Sequence, residues 1–137
     1  MIKIDAKALH KNRHTSEKKA ILLTGAHHSR ELVSVQMPLY TVVDLLHRYV
    51  HKCPERTELL RRNKYFVIPF VNTDGSHTIM EEFNRTGEVI YKRKNNDRSM
   101  EYKMIEEGKG EECPLWLSGT DINRNYGYLW GNKDTPC

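Results

Sequence analysis

Two histidines, an arginine and a glutamate stand together in TGAHHSREL, Thr24 to Leu32. His28 and Glu31 form H-x-x-E, a spacing at which a tight turn aims one imidazole nitrogen and one carboxylate at a single point. Zinc accepts both donor types, and its catalytic sites combine three protein ligands with a water. His27 is offset by one residue and in extended geometry points away from His28, so it reads as support or packing. Taken alone, the spacing also suits a polar turn between two elements.

Two further stretches carry chemistry. In SGTDINRNYG, Ser118 to Gly127, an amide and a guanidinium fall on adjacent residues, Asn123 and Arg124. A guanidinium binds a carboxylate bidentately and an amide can donate to the same anion; by itself the stretch also reads as an Asx-rich turn with a solvated arginine. In YKRKNNDRS, Tyr91 to Ser99, Arg93 and Arg98 are candidates to supply positive charge where an oxyanion develops, or a solvated loop. His47 and His51 are spaced to chelate a metal from one helix but read as helix surface, and His77 as loop.

These residues need elements to hold them. AILLTG, Ala20 to Gly25, is a continuous apolar run ended by glycine, the pattern of a parallel strand covered on both faces. MIKIDA reads as an edge strand. From Val35 to about His51, Val35, Leu39, Val42, Val43, Leu46, Tyr49 and Val50 recur at three- and four-residue spacing, which predicts a helix with those residues on its packed face. Ser34 caps it, Pro38 is tolerated in its first turn, and Cys53-Pro54 ends it. YFVIPFVN, Tyr65 to Asn72, is a second strand, stopped by the turn residues of NTDGS. Strand, helix, strand is a right-handed crossover unit of an α/β sheet. Beyond Gly75 the periodicity fades, and residues 84 to 119 read as a long loop-rich stretch of the kind that is usually functional or disordered. TGAHHSREL therefore follows the carboxyl end of a strand, where ligands gather in open α/β sheets.

Composition narrows the classes. The 137 residues suit one domain, and hydrophobic residues at 38% are enough for a core. The net charge of +4 comes from 22 basic and 18 acidic residues that are scattered along the chain. A nucleic-acid footprint would cluster them on one face. No apolar stretch approaches the roughly 20 residues that span a bilayer, and MIKIDAKALHKNRH has no apolar core of a signal peptide. Three cysteines, Cys53, Cys113 and Cys137, are too few and too spread for a zinc ribbon, and an odd count leaves at least one thiol unpaired within the chain.

The order of these stretches resembles one family. A strand with GAHHSRE after it, a strand with N-x-D-G, an arginine-lysine loop and then D-x-N-R-N is similar to the zinc metallocarboxypeptidases of the carboxypeptidase A/B type, from about Ala20 to Cys137. The resemblance implies an α/β fold, here a partial carboxypeptidase-like mixed sheet with flanking helices, forming a single incomplete peptidase domain over residues 1–137. It implies one zinc ion, with His28 and Glu31 as the first two ligands. Arg30 resembles the arginine lining a more distant subsite of the peptide groove, and Asn123 with Arg124 the pair that grips the substrate's terminal carboxylate. Arg98 resembles the arginine that polarises the scissile carbonyl; the family's tighter R-K-x-R is spread over RKNNDR here, so Arg93 stands beside it for that role.

The same resemblance places the third zinc ligand, a histidine, and the general base, a glutamate, past the N-R-N segment. The chain is thus expected to be an N-terminal and central piece of the domain, with poor zinc affinity and little hydrolysis on its own. The expected partners are peptide or protein C-termini, with neither nucleic acid nor membrane, and a monomeric state. Cys113 and Cys137 fall near a disulfide of secreted family members, which would imply an oxidising, extracellular setting. A different class is a non-catalytic module that keeps the carboxylate clamp and binds or regulates without cleaving.

Overall fold

A computed structural model describes residues 1–6 and 18–128. They fall into two compact units, one of Met1–Gly25 with Val33–Phe70, the other of Ala26–Leu32 with the described residues from Val71 onward.

The first unit holds a three-stranded sheet. β1 (Ile2–Ile4) and β2 (Lys19–Thr24) flank the central β3 (Asn63–Ile68) in the order β1-β3-β2. β1 runs antiparallel to β3, and β2 runs parallel to it. Ile4 and Ile21 both stand opposite Tyr65, and Leu23 opposite Val67. Because alternate residues of a strand share a face, this register gathers the apolar side chains on one side. α1 (Val33–Val50) and α2 (Pro54–Arg62) pack there. The core is Ile4, Val42, Leu45, Leu60, Tyr65 and Val67. Lys18 Nζ ties β1 to α2, donating to Asp5 Oδ1 at 2.9 Å and to Leu60 O at 3.1 Å.

The mixed sheet with flanking helices agrees with the sequence expectation, and three local readings are corrected. The β2 run is not covered on both faces among the described residues: Leu22 is 61% exposed, on the side that carries Phe66 and Lys3. The packed face of α1 is rotated from the expected stripe. Pro38, Val42 and Leu45 are buried, whereas Leu39, Val43, Leu46 and Val50 are exposed. The helix is apolar over most of its circumference, so spacing alone could not choose the face. Cys53-Pro54 does end α1, but Pro54 also opens α2, as proline does in a first turn.

Gly25 closes β2 at a point with no room for a side chain. A Cβ there would come within 2.4 Å of Ser34 O and 2.7 Å of Pro69 O.

The second unit holds α3 (Thr73–Thr86), α4 (Ser99–Glu106) and a 3₁₀ turn at Ile122–Arg124. α4 corrects the loop expected over residues 84 to 119, α3 forms where the periodicity fades, and His77, expected in a loop, lies on α3, exposed, beside Glu81. Asn72 caps α3, its side chain accepting from Gly75 N at 3.1 Å. The residues that resembled a free-standing turn are therefore a helix start, because side chains that favour turns also satisfy the unpaired amides of a first helical turn. Among the described residues no helix is long and apolar enough to cross a membrane.

Candidate active site

All the residues of this site belong to the second unit. The turn Ala26–Leu32 starts from a left-handed residue, Ala26 at φ 47°, which is 1% exposed. Only a well-determined surrounding holds a non-glycine residue there. Asn72 supplies part of it: its backbone amide donates to Ala26 O at 2.9 Å, and its buried side chain donates to His27 O at 3.1 Å and Arg93 O at 3.2 Å. Ser29 supplies the rest, donating from N to Arg93 O at 3.2 Å and from Oγ to Lys92 O at 2.7 Å. The turn closes on itself through Glu31 N to His28 O at 3.1 Å.

This framework buries His28 to 4% exposure and sets both its ring nitrogens on carboxylates. Nδ1 is 2.9 Å from Glu31 Oε1, and Nε2 is 3.1 Å from Asp121 Oδ1. A neutral imidazole carries one N–H and one lone pair. It satisfies one of the two carboxylates and turns a lone pair toward the other. A second proton or a bound cation resolves that opposition. Nδ1 and Glu31 Oε1 are thus a donor pair suited to zinc, with Asp121 orienting the ring from the far side as carboxylates do for metal-bound histidines. Among the described residues no group of three His, Cys, Asp or Glu is arranged to hold a metal.

Arg93 closes the cluster. Its Nε donates to Asp121 Oδ2 at 2.8 Å and its Nη1 lies 3.6 Å from Glu31 Oε1. Burial pushes the Asp121 carboxyl up, but Arg93 and then His28 outweigh it and hold the group below its ordinary value. Arg98 is engaged elsewhere. It forms a two-pronged ion pair with the buried Glu101, reaches Glu112 at 3.2 Å, and stacks over Tyr102 at 5.0 Å.

Asp121 stands at the head of the 3₁₀ turn, and Arg124 N donates back to Asp121 O at 3.0 Å. That turn leaves Asn123 and Arg124 exposed, with Arg124 Nη1 donating to Asn123 Oδ1 at 2.8 Å. Gly119, at φ 103°, is required upstream: a Cβ would sit 1.9 Å from Asn95 O. Asn95 pairs with Thr120 in both directions, at 3.1 and 2.8 Å. Arg30 is exposed beside the buried Ser29. His27 bonds Tyr126 OH at 2.7 Å. His47 and His51 stack at 4.4 Å on the surface of α1, in the other unit.

Sequence reasoning did not single out Asp121 or Lys92, and it read Asn72 only as a turn residue at the end of the second strand. Asp121 heads the D-x-N-R-N stretch, and that position is the one signal that pointed to it. Cys137 lies outside the described residues, and the Cys113–Cys137 pairing with it; Cys53 is a free thiol.

The zinc carboxypeptidase family model matches residues 1–137, the whole chain. The chain belongs to the zinc carboxypeptidase family. It is 30% identical to metallocarboxypeptidase A of Trichophyton tonsurans over 125 residues, covering 89% of this chain and 25% of that protein. It is 26% identical to an inactive metallocarboxypeptidase of Sclerotinia sclerotiorum over 125 residues, covering 90% of this chain and 18% of that protein. An inactive metallocarboxypeptidase of Paracoccidioides brasiliensis is 29% identical over 123 residues, covering 88% of this chain and 17% of that protein. The chain thus spans a quarter or less of the length of these relatives.

Proposed function

We propose that this chain contributes the H-x-x-E half of a zinc site and the carboxylate clamp of a metallocarboxypeptidase, an enzyme that removes residues from peptide C-termini. The observation that carries the reading is the placement of His28 between Glu31 and Asp121, where one imidazole faces two carboxylates. Zinc bound at His28 Nδ1 and Glu31 would supply Lewis acidity toward the scissile carbonyl and a water of lowered pKa. Asp121 holds the His28 ring so that Nδ1 points at Glu31. Arg93, within 3.6 Å of Glu31, is the better placed of the two loop arginines to polarise a carbonyl at that point, because Arg98 is held by Glu101 and Glu112. Asn123 and Arg124 receive the terminal carboxylate, which restricts binding to chain ends, and the exposed Arg30 lines the groove farther along.

Catalytic zinc uses three protein donors, and two converge among the described residues. Those two donors by themselves are expected to hold zinc weakly and to support little hydrolysis. A second reading is a C-terminus-binding module without catalysis, favoured by the relatives whose names call them inactive. Peptide partners follow from either reading, and an oxidising compartment follows if Cys113 and Cys137 pair.

One experiment separates the readings. The chain is titrated with zinc and with a short peptide as free acid and as C-terminal amide, while release of the terminal amino acid is followed with and without a chelator. Zinc uptake, or chelator-sensitive release, supports the enzyme. Free-acid binding with neither zinc uptake nor release supports the module. Equal binding of acid and amide sinks both.

A further inference from the structure

Lys92 is the largest fully buried side chain described, at 0% exposure. Lysine is seldom found there. Its ammonium donates to three neutral acceptors: Leu115 O at 3.0 Å, Ser118 O at 3.0 Å and Ser118 Oγ at 3.4 Å. An ammonium has three donors, so this set saturates it. An apolar side chain of similar length would fill the space at lower desolvation cost. What it could not do is gather the carbonyls of a turn.

That turn is Pro114–Ser118, closed by Leu117 N and Ser118 N on Pro114 O at 2.8 and 2.9 Å. It runs directly into Gly119, Thr120 and Asp121. On its own backbone Lys92 accepts from Ser29 Oγ, inside the H-x-x-E turn. One residue therefore links the two halves of the candidate site: its carbonyl holds the His28 side and its ammonium holds the segment that presents Asp121, Asn123 and Arg124.

We propose that Lys92 is a positioning residue for the carboxylate clamp, its ammonium fixing the Pro114–Ser118 turn so that Asn123 and Arg124 meet a peptide's terminal carboxylate in register. The inference rests on the carboxypeptidase reading of the clamp. The groups acting on the ammonium are Asp74 and Glu101, which favour its charge, and Arg98 and Lys94, which oppose it. Burial outweighs them and lowers its pKa from the ordinary lysine value. The charged, clamping form is present below that lowered pKa and is lost as pH rises through it.

The test compares wild type with Lys92→Met, which keeps chain length and removes the charge. Affinities are measured for a short peptide as free acid and as C-terminal amide, with hydrogen exchange at the Leu117 and Thr120 amides. The expected result is a fall of about tenfold or more in free-acid affinity, the size of losing one hydrogen bond to a charged group. The amide's affinity stays level, and exchange accelerates at Leu117 and Thr120 while β3 stays protected. A folded K92M that keeps the full free-acid preference overturns the proposal. A wild type without that preference fails at the level of the clamp itself and takes the role of Lys92 with it. Should K92M not fold, wild type decides alone: its free-acid preference declines as pH rises toward the ordinary lysine range of about 10.4. A preference flat to that pH overturns the proposal.

Discussion

His28 Nε2 and Asp121 Oδ1 lie 3.1 Å apart across 93 residues of sequence, and the contact sets which face of the imidazole is left for Glu31. Replacing Asp121 with Asn keeps the shape and removes the charge. A carboxamide can also present its NH₂ to Nε2, which moves the ring proton to Nδ1 and blocks the proposed donor. Loss of such an orienting partner typically costs about 10–100-fold in metal affinity. D121N is expected to weaken zinc binding within that range, read by competition with a metal indicator, with secondary structure by circular dichroism unchanged. Zinc affinity equal to wild type would remove His28 Nδ1 from the ligand set.

Asn72 is the densest junction behind the site. Its amide donates to His27 O and Arg93 O, its Oδ1 accepts from Gly75 N, and the residue is 0% exposed. Leaving a buried polar group unpaired costs about 1–3 kcal/mol. Asn72→Ala strips partners from three groups at once and is expected to destabilise the second unit by about 3 kcal/mol in urea unfolding. Asn72→Asp keeps the acceptor for Gly75 but cannot donate to either carbonyl, so it should resemble the alanine variant. An aspartate variant as stable as wild type would mean that only the helix cap matters.

Four carboxylates of the second unit titrate low for local reasons, Glu82 through its hydrogen-bonded ion pair with Arg85 on α3. Asp97 is held down by hydrogen bonds from Ser99, and Glu101 by Arg98, with Cys113 N adding to it against the opposing effect of burial. Asp121 completes the set through Arg93 and His28, which overcome its desolvation. Unfolded, these groups titrate near about 3.9 for Asp and 4.3 for Glu. Linkage makes their stabilising contribution complete above those values and removes it as pH falls through the lower folded ones. The urea midpoint is expected to be level from about pH 7 to pH 5 and to decline below about pH 4. Glu101→Gln should flatten part of that decline, and an unchanged slope in the variant would assign acid sensitivity elsewhere.

The legible parts of the site were those encoded in short spacings. H-x-x-E placed His28 against Glu31 and N-R-N placed Asn123 beside Arg124, because three residues make a turn and adjacent residues share one. Asp121 and Arg93 are joined to His28 and Glu31 only by tertiary packing, which no local spacing reports. Lys92 sits in a charged run, and nothing in YKRK distinguishes the lysine that is buried from its half-buried neighbours Arg93 and Lys94. α3 escaped notice since Asn72, Asp74 and Gly75 are turn formers, and the helix uses them as its cap and first turn. β2 and β3 were legible as apolar runs, but a run without alternation cannot tell a strand covered on one face from one covered on two.

The face of α1 offers a clean test of packing against pattern. Leu45 and Leu46 are adjacent, identical in chemistry and opposite in environment, at 4% and 44% exposure. Leu45 lies in the cluster with Val42, Tyr65 and Val67, so truncation leaves a cavity among side chains that cannot all collapse into it. Burial of this kind makes Leu→Ala cost about 2–5 kcal/mol, whereas an exposed position is usually within about 0.5 kcal/mol. L45A is therefore expected to lower the unfolding free energy by several-fold more than L46A, both measured in urea on the same chain. The stripe predicted from spacing, which includes Leu46 and omits Leu45, makes the reverse prediction. Equal costs would mean that both faces of α1 are covered in solution, and a larger cost for L46A would return the helix to the face that its sequence pattern suggested.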